Sequence, residues 1–268
     1  MQQNNREVRF VLVSDFCILQ HRKSIMSRPN TNLISTLCRI NVNILQQKLD
    51  LIKILQSKHG VDQVQTRIYN NICPIVQASI GQHIRHSNDH IERVTNAVSI
   101  NLFEGESMLN RVKRCTIPYD TRSRNTEDEH SVSAAIQRLQ RIKKVLQSYQ
   151  IQSNQISIQQ PVDASFILTS PPPKTATDPK TNDDDENDLS SLLPSTIARE
   201  LGFVAHHAIH HLAMIQIIVT TNNPYHQLAN SNDDNQNHHP PFLSISELPP
   251  NFGKAPSTIH HLIKQQQQ

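Results

Sequence analysis

The sequence contains little glycine and few aromatic residues. Its 268 residues include 5 Gly, 7 Phe, 4 Tyr and no Trp. A β-sandwich or a dinucleotide-binding sheet uses more glycine than this in its turns and phosphate loops. The scarcity of glycine therefore argues against both classes. It favours long helices that are joined by loops rich in Asn, Ser and Pro.

Long apolar runs and a large excess of one charge are also missing. No stretch approaches the roughly 18 consecutive apolar residues of a membrane span, so we expect no membrane partner. Lys and Arg number 26 against 23 Asp and Glu, which gives no reason to expect a nucleic-acid partner. The four cysteines are widely spaced and form no CxxC pair: Cys17, Cys38, Cys73 and Cys115. This pattern is typical of reduced thiols and predicts a cytoplasmic protein.

The composition predicts one helical domain, with polar segments at both ends and two polar insertions within it. Residues 1–29 are predicted to be an N-terminal extension, and the Arg and Lys of residues 1–25 leave organelle targeting open as an alternative. The domain covers residues 30–262 and contains two insertions, 170–189 and 221–240. Both are predicted to be disordered, because they have almost no apolar side chains to bury. Residues 263–268 form a Gln-rich tail.

Four segments repeat apolar residues at spacings of three and four, which predicts amphipathic helices. The fourth helix has Ser195 or Thr196 as its expected N-cap. A short β-prone stretch, residues 156–168, lies between helices three and four. The sequence therefore predicts an all-α four-helix bundle with long polar insertions. The predicted helices cover residues 30–58, 73–108, 129–149 and about 197–219.

The 15 histidines are the most unusual feature of the composition. On the second predicted helix, His83, His86 and His90 lie near one face because their spacings are three and four. Histidine-rich runs also occur in chains biased towards Asn, Gln and His, as in residues 221–240. However, burying many imidazoles without a partner would be costly, and a shared cation removes that cost.

On the fourth predicted helix, the segment AHHAIHH contains two overlapping HxxxH pairs. An i, i+4 pair places two imidazoles one turn apart, where they can bind one cation. The pair His207 and His211 follows the buried stripe, whereas His206 and His210 are rotated by about 100°. A zincin protease is excluded because Ala208 stands where its motif needs Glu. The sequence therefore favours His207 and His211 as ligands, with His210 as a flanking or supporting group.

Four blocks of sequence, in this order, resemble a branch of the DinB/YfiT-like superfamily of metal-binding four-helix-bundle proteins. They are SIGQHIRHSNDH, YDTRSR, ARELGFVAHHAIHHLAMI and LPPNFGKAPST. The resemblance implies a divalent metal, zinc or nickel, on one histidine of the second helix and an HxxxH pair of the last. Transferred residue by residue, these are His86, His207 and His211, with His83 and His90 as alternatives in the second helix.

The resemblance also implies a small-molecule substrate, with a low-molecular-weight thiol as one candidate, and it is compatible with a homodimer. Two functions remain open. One is a metal-dependent transferase or hydrolase that activates a thiol or water. The other is a non-enzymatic bundle with a structural metal or a scaffold role.

Three further charged residues have two interpretations each. Asp89 lies three residues after His86 and either orients a ligand imidazole or is an exposed charge of the helix. Arg122 and Arg124 either bind an anionic group of a substrate or form structural ion pairs that fasten their loop, and the second interpretation is favoured.

Overall fold

The computed structural model describes five stretches of the chain, 31–104, 114–121, 125–167, 190–221 and 241–266. The predicted extension at 1–29, the insertion at 170–189 and Arg122 and Arg124 lie outside the described residues. So does the insertion at 221–240, except for Thr221.

The described residues form seven α-helices. They are α1 (Thr31–His59), α2 (Val61–Gln63), α3 (Ile80–Glu104), α4 (Glu127–His130), α5 (Val132–Ile151), α6 (Ile197–Thr220) and α7 (Pro256–Gln266). α7 includes residues 263–266 of the predicted tail. The prediction of a mostly helical chain is confirmed.

The four long helices α1, α3, α5 and α6 pack against one another. α1 contacts α5 and α6, and α3 contacts the same two helices. Each of the four contributes apolar side chains at spacings of three and four to one shared core. This arrangement turns one face of α3 towards one face of α6.

The second long helix begins later than its apolar pattern predicts. The backbone of Cys73 pairs with that of Ala78, so a turn replaces the predicted first helical turns. The Ser79 hydroxyl then accepts from the Gln82 N–H at 3.1 Å, and the Gln82 side chain accepts from the Ser79 N–H at 3.0 Å. This reciprocal pair is a capping box, and it starts α3 at Ile80.

The third predicted helix is interrupted near its start. Ser131 adopts an extended conformation between α4 and α5, and its hydroxyl accepts from the Ala134 N–H at 3.3 Å. Ser131 is therefore the N-cap of α5. At the start of α6, the N-cap is Thr196, one of the two predicted residues, and its hydroxyl accepts from the Arg199 N–H.

A three-stranded sheet shows that the all-α prediction was wrong. Its strands are β1 (Cys115–Pro118), β2 (Pro161–Ile167) and β3 (Ser190–Thr196), in the order β1-β2-β3. β2 pairs parallel with β1 and antiparallel with β3. The β-prone stretch contains β2, but neither of its partners was predicted. β3 leads directly into α6, so the sheet lies beside the helix that carries the HxxxH pairs.

Among the described residues, α6 is the one helix long and apolar enough to span a membrane, by length and composition alone. The core helix of a packed domain meets the same criteria. In this fold α6 contacts both α1 and α3, and its buried residues include Leu201, Val204, Leu212 and Ile215. Its central position in the core accounts for its apolar composition.

Candidate metal centre

Two facing helices bring three imidazoles together. His86 projects from α3, and His207 and His211 lie one turn apart on α6. Their candidate ligand atoms all lie within 4.8 Å of one another. His211 is buried, while His86 and His207 are partly exposed. We call these three residues the imidazole cluster.

The spacing within the imidazole cluster suits a single ion. The Nε2 atoms of His207 and His211 are 3.1 Å apart. Two nitrogens at 2.0–2.1 Å from a tetrahedral zinc ion would be about 3.3 Å apart. The ring of His86 completes the group, with centroids 5.1 Å from His207 and 4.9 Å from His211. The donor set and its spacing therefore fit a divalent metal.

The overlapping HxxxH pair on α6 faces away from this cluster. His206 and His210 are exposed, although they have the same i, i+4 spacing as His207 and His211. The His210 ring contacts only the outer side of the group, with its centroid 5.4 Å from that of His211. The structure therefore brings His207 and His211 to His86 and leaves His206 and His210 at the surface.

Burial favours the neutral form of two imidazoles of α6, those of His207 and His211. It lowers the pKa of His207 to about 4, with smaller contributions from the charges of His210 and Lys48. Burial, followed by the charges of His207 and His86, holds the pKa of His211 far below its usual value. Because a metal ion binds only an unprotonated imidazole nitrogen, both side chains are available to a cation at neutral pH.

The two alternative histidines of α3 flank the imidazole cluster. The His90 ring centroid is 4.2 Å from that of His207 and 4.7 Å from that of His86. His83 lies on the other side, with its Nδ1 atom 2.8 Å from the Nδ1 atom of His211. Each of these two rings therefore contacts at least one member of the imidazole cluster.

The carboxylate of Asp89 is bound by arginines from two helices. One carboxylate oxygen accepts from Arg85 at 3.0 Å and the other accepts from Arg138 at 2.7 Å. Arg138 also binds Glu92 and Asp128, so these charges link α3, α4 and α5. The exposed-charge interpretation is wrong, because Asp89 is buried in this ion-pair network, while its orientation of an imidazole stays a prediction.

Three aromatic residues that the sequence analysis missed stand next to the imidazole cluster. Tyr119 stacks on Phe166 with ring centroids 5.0 Å apart, and both contact Phe203. Phe203 stacks on His207, and Tyr119 stacks on His90. We call Tyr119, Phe166 and Phe203 the aromatic cluster. Phe203 could have been predicted, because it lies one turn before His207 on the same helix. Tyr119 follows β1 and Phe166 lies in β2, so neither is near His207 in sequence.

A buried carboxylate holds the aromatic cluster in place. Glu200 is fully buried on α6 and accepts from the hydroxyl of Tyr119 at 2.7 Å. It also accepts from the hydroxyl of Ser195 and forms an ion pair with Arg199. These contacts join Tyr119, the residue after β1, to the end of β3 and the first turn of α6, and they hold Tyr119 beside His90.

A buried lysine is the second feature that the sequence analysis missed. Lys48 of α1 is fully buried and donates to Ser87 at 2.7 Å and to Asn88 at 2.8 Å, both on α3. Burial and the charge of Arg138 lower its pKa to about 7. Its spacing of four from the buried residues Ile44 and Ile52 is the signal that could have revealed it.

No protein-family model, curated protein or solved structure matches this chain. The case for a metal site consequently stands on the geometry of the imidazole cluster.

Proposed function

We propose that the protein is a DinB-like four-helix-bundle protein that binds one divalent ion, zinc or nickel, through His86, His207 and His211. The observation that carries this proposal is the convergence of the three side chains, whose ligand atoms lie within 4.8 Å of one another. Two of them are neutral because burial lowers their pKa. Imidazole is a preferred ligand of both metals.

We further propose that the site serves a metal-dependent transferase or hydrolase. A divalent ion on three neutral imidazoles lowers the pKa of a water or thiol at a fourth position, which makes a nucleophile near pH 7. The partly exposed ring of Phe203, which stacks on His207, would contact the organic part of a small substrate, such as a low-molecular-weight thiol.

A structural metal is the second candidate, and the position of His90 favours it. Its ring lies 4.2 Å from that of His207 and 4.7 Å from that of His86, measured between centroids. A fourth imidazole would close the coordination sphere, and structural zinc sites are usually closed by four protein ligands. The two candidates therefore differ in whether His90 is a ligand.

Metal binding followed by turnover tests the first candidate. The metal-free full-length protein is expected to take up about one equivalent of Zn²⁺ or Ni²⁺. The metal-loaded protein should then either consume a thiol when an electrophile is present or hydrolyse an ester. A chelator should stop the reaction. Absence of metal uptake would contradict both candidates.

His90→Ala separates the open site from the closed one. With three ligands, the variant should bind Zn²⁺ with the affinity of the parent, within about threefold. With four, its affinity should fall by at least about tenfold, because a direct ligand is lost. A large loss together with no turnover for any thiol or ester would establish the structural candidate instead.

A further inference from the structure

His83 makes a specific contact with one member of the imidazole cluster. Its Nδ1 atom lies 2.8 Å from the Nδ1 atom of His211, and the two ring planes are inclined by 46°. This distance lies within the normal range of a hydrogen bond and is shorter than the spacing of about 3.3 Å expected for two nitrogens on one tetrahedral ion. The 3.1 Å between the Nε2 atoms of His207 and His211 is closer to the spacing for a shared ion, whereas 2.8 Å between His83 and His211 is the length of a direct hydrogen bond.

The two nitrogens of His211 face different partners. Nε2 lies 3.1 Å from Nε2 of His207, while Nδ1 lies against His83. A single imidazole cannot direct both nitrogens at one ion, so the nitrogen that faces His207 is the one placed to bind metal. A neutral imidazole with an unprotonated Nε2 carries its proton on Nδ1.

We propose that His83 is a positioning residue whose Nδ1 accepts a hydrogen bond from the Nδ1–H of His211. This inference rests on the proposed metal site and adds a residue that binds no metal itself. The bond fixes the tautomer and the ring orientation of His211, so that Nε2 points towards His86 and His207. It gives His83 a role different from that of a fourth ligand.

The surroundings of His83 support a dedicated role. His83 is 9% exposed, and its other ring nitrogen, Nε2, has no hydrogen-bond partner among the described residues. A buried polar atom without a partner is unfavourable, and an apolar side chain would avoid that cost. The contact with His211 is the interaction that an apolar residue at this position would lose.

Two substitutions of His83 separate positioning from packing. His83→Leu removes the acceptor, whereas His83→Gln retains a side-chain oxygen that can accept from the Nδ1–H of His211. His210→Ala is the matched control, because His210 also contacts the ring of His211 but is exposed. Zn²⁺ affinity is measured for the full-length variants by competition with a chromophoric chelator.

We expect His83→Leu to bind one Zn²⁺ per chain with an affinity about 10- to 100-fold below that of the parent, as for other residues that orient a metal ligand. His83→Gln should recover most of the loss, and His210→Ala should stay within about twofold. Equal affinity of parent and His83→Leu would overturn the proposal, as would a His83→Gln variant that binds as weakly as His83→Leu.

The tautomer provides a readout that packing alone would not change. Nitrogen NMR of the Zn²⁺-loaded parent should show a protonated Nδ1 on His211, hydrogen-bonded to an unprotonated Nδ1 on His83. A metal-coordinated Nδ1 on His83 would make it a fourth ligand and refute the positioning role. A parent that binds no Zn²⁺ would reject the metal site itself, which distinguishes the two failures.

Discussion

The double substitution His207→Ala and His211→Ala is expected to abolish stoichiometric Zn²⁺ binding, with a loss of affinity of at least about a thousandfold. It removes two of the three side chains whose ligand atoms lie within 4.8 Å of one another. Because His86 alone cannot form a chelate, the ion would exchange freely with solvent. Metal analysis after dialysis against a weak chelator measures the effect.

The chain provides a closely matched control for this experiment. The double variant His206→Ala and His210→Ala removes two imidazoles at the same spacing on the same helix, but from exposed positions. Its metal content should equal that of the parent. Equal metal content in both double variants would contradict the site, and so would a loss confined to the His206 and His210 variant.

Lys48→Met is expected to raise the free energy of unfolding at pH 7, by an amount comparable to the roughly 1–4 kcal/mol found when buried ion pairs are replaced by apolar side chains. Lys48 is fully buried, and among the described residues no carboxylate forms an ion pair with it. Its hydrogen bonds to Ser87 and Asn88 offset part of the desolvation cost. Methionine has a similar length and carries no charge, but it leaves the buried acceptors of Ser87 and Asn88 without their donor. That loss costs about 1–3 kcal/mol and places the net gain near the lower end of the range.

The pH dependence identifies the lysine as the cause. Burial lowers the pKa of Lys48 from 10.5 to about 7 in the folded protein. Above pH 7 the unfolded chain therefore binds more protons at this position than the folded one. This residue consequently adds stability as the pH rises towards 10.5, by up to about 1.4 kcal/mol per pH unit.

Urea unfolding of metal-free parent and Lys48→Met at pH 7, 8 and 9 tests this expectation. The advantage of the variant should shrink as the pH rises, because the parent gains stability in this window and the variant does not. Comparing the two proteins at each pH cancels the titration of the thiols. A constant difference from pH 7 to 9, or a variant less stable than the parent at pH 7, would contradict it.

Periodicity predicted the four long helices, although not all of their ends, and it placed His207 and His211 on the buried face of the last one. Val204, His207, His211 and Ile215 repeat at spacings of three and four, and this repeat alone separates His207 and His211 from His206 and His210. Local sequence determines which residues share a helix face. The pairing of His207 with His211 could therefore be predicted without knowledge of how the helices pack.

The choice among His83, His86 and His90 depends on how α3 is rotated and shifted against α6. All three lie near one face, and helical spacing does not rank them. In the structure His86 joins His207 and His211, His83 contacts His211 through Nδ1, and His90 stacks on Tyr119. These differences arise from tertiary contacts with residues far away in the sequence.

The sheet and the ion pairs were not predicted, because they too depend on contacts between residues far apart in the sequence. β3 contains Pro194 and three serines, so its extended form depends on its pairing with β2 rather than on its own propensity. Asp89 meets Arg138 from another helix, a partner that no local pattern reveals. Lys48, by contrast, lies four residues from the buried Ile44 and Ile52, so its burial could have been predicted from spacing. Its charge is the reason that its burial was not predicted.

An anomalous difference map, collected at the zinc absorption edge from crystals grown with Zn²⁺, tests the central claim most directly. We expect one strong peak between α3 and α6, about 2.0–2.1 Å from a ring nitrogen of each of His86, His207 and His211. A peak on His206 and His210, or no peak between the two helices, would contradict the claim that these imidazoles share one ion.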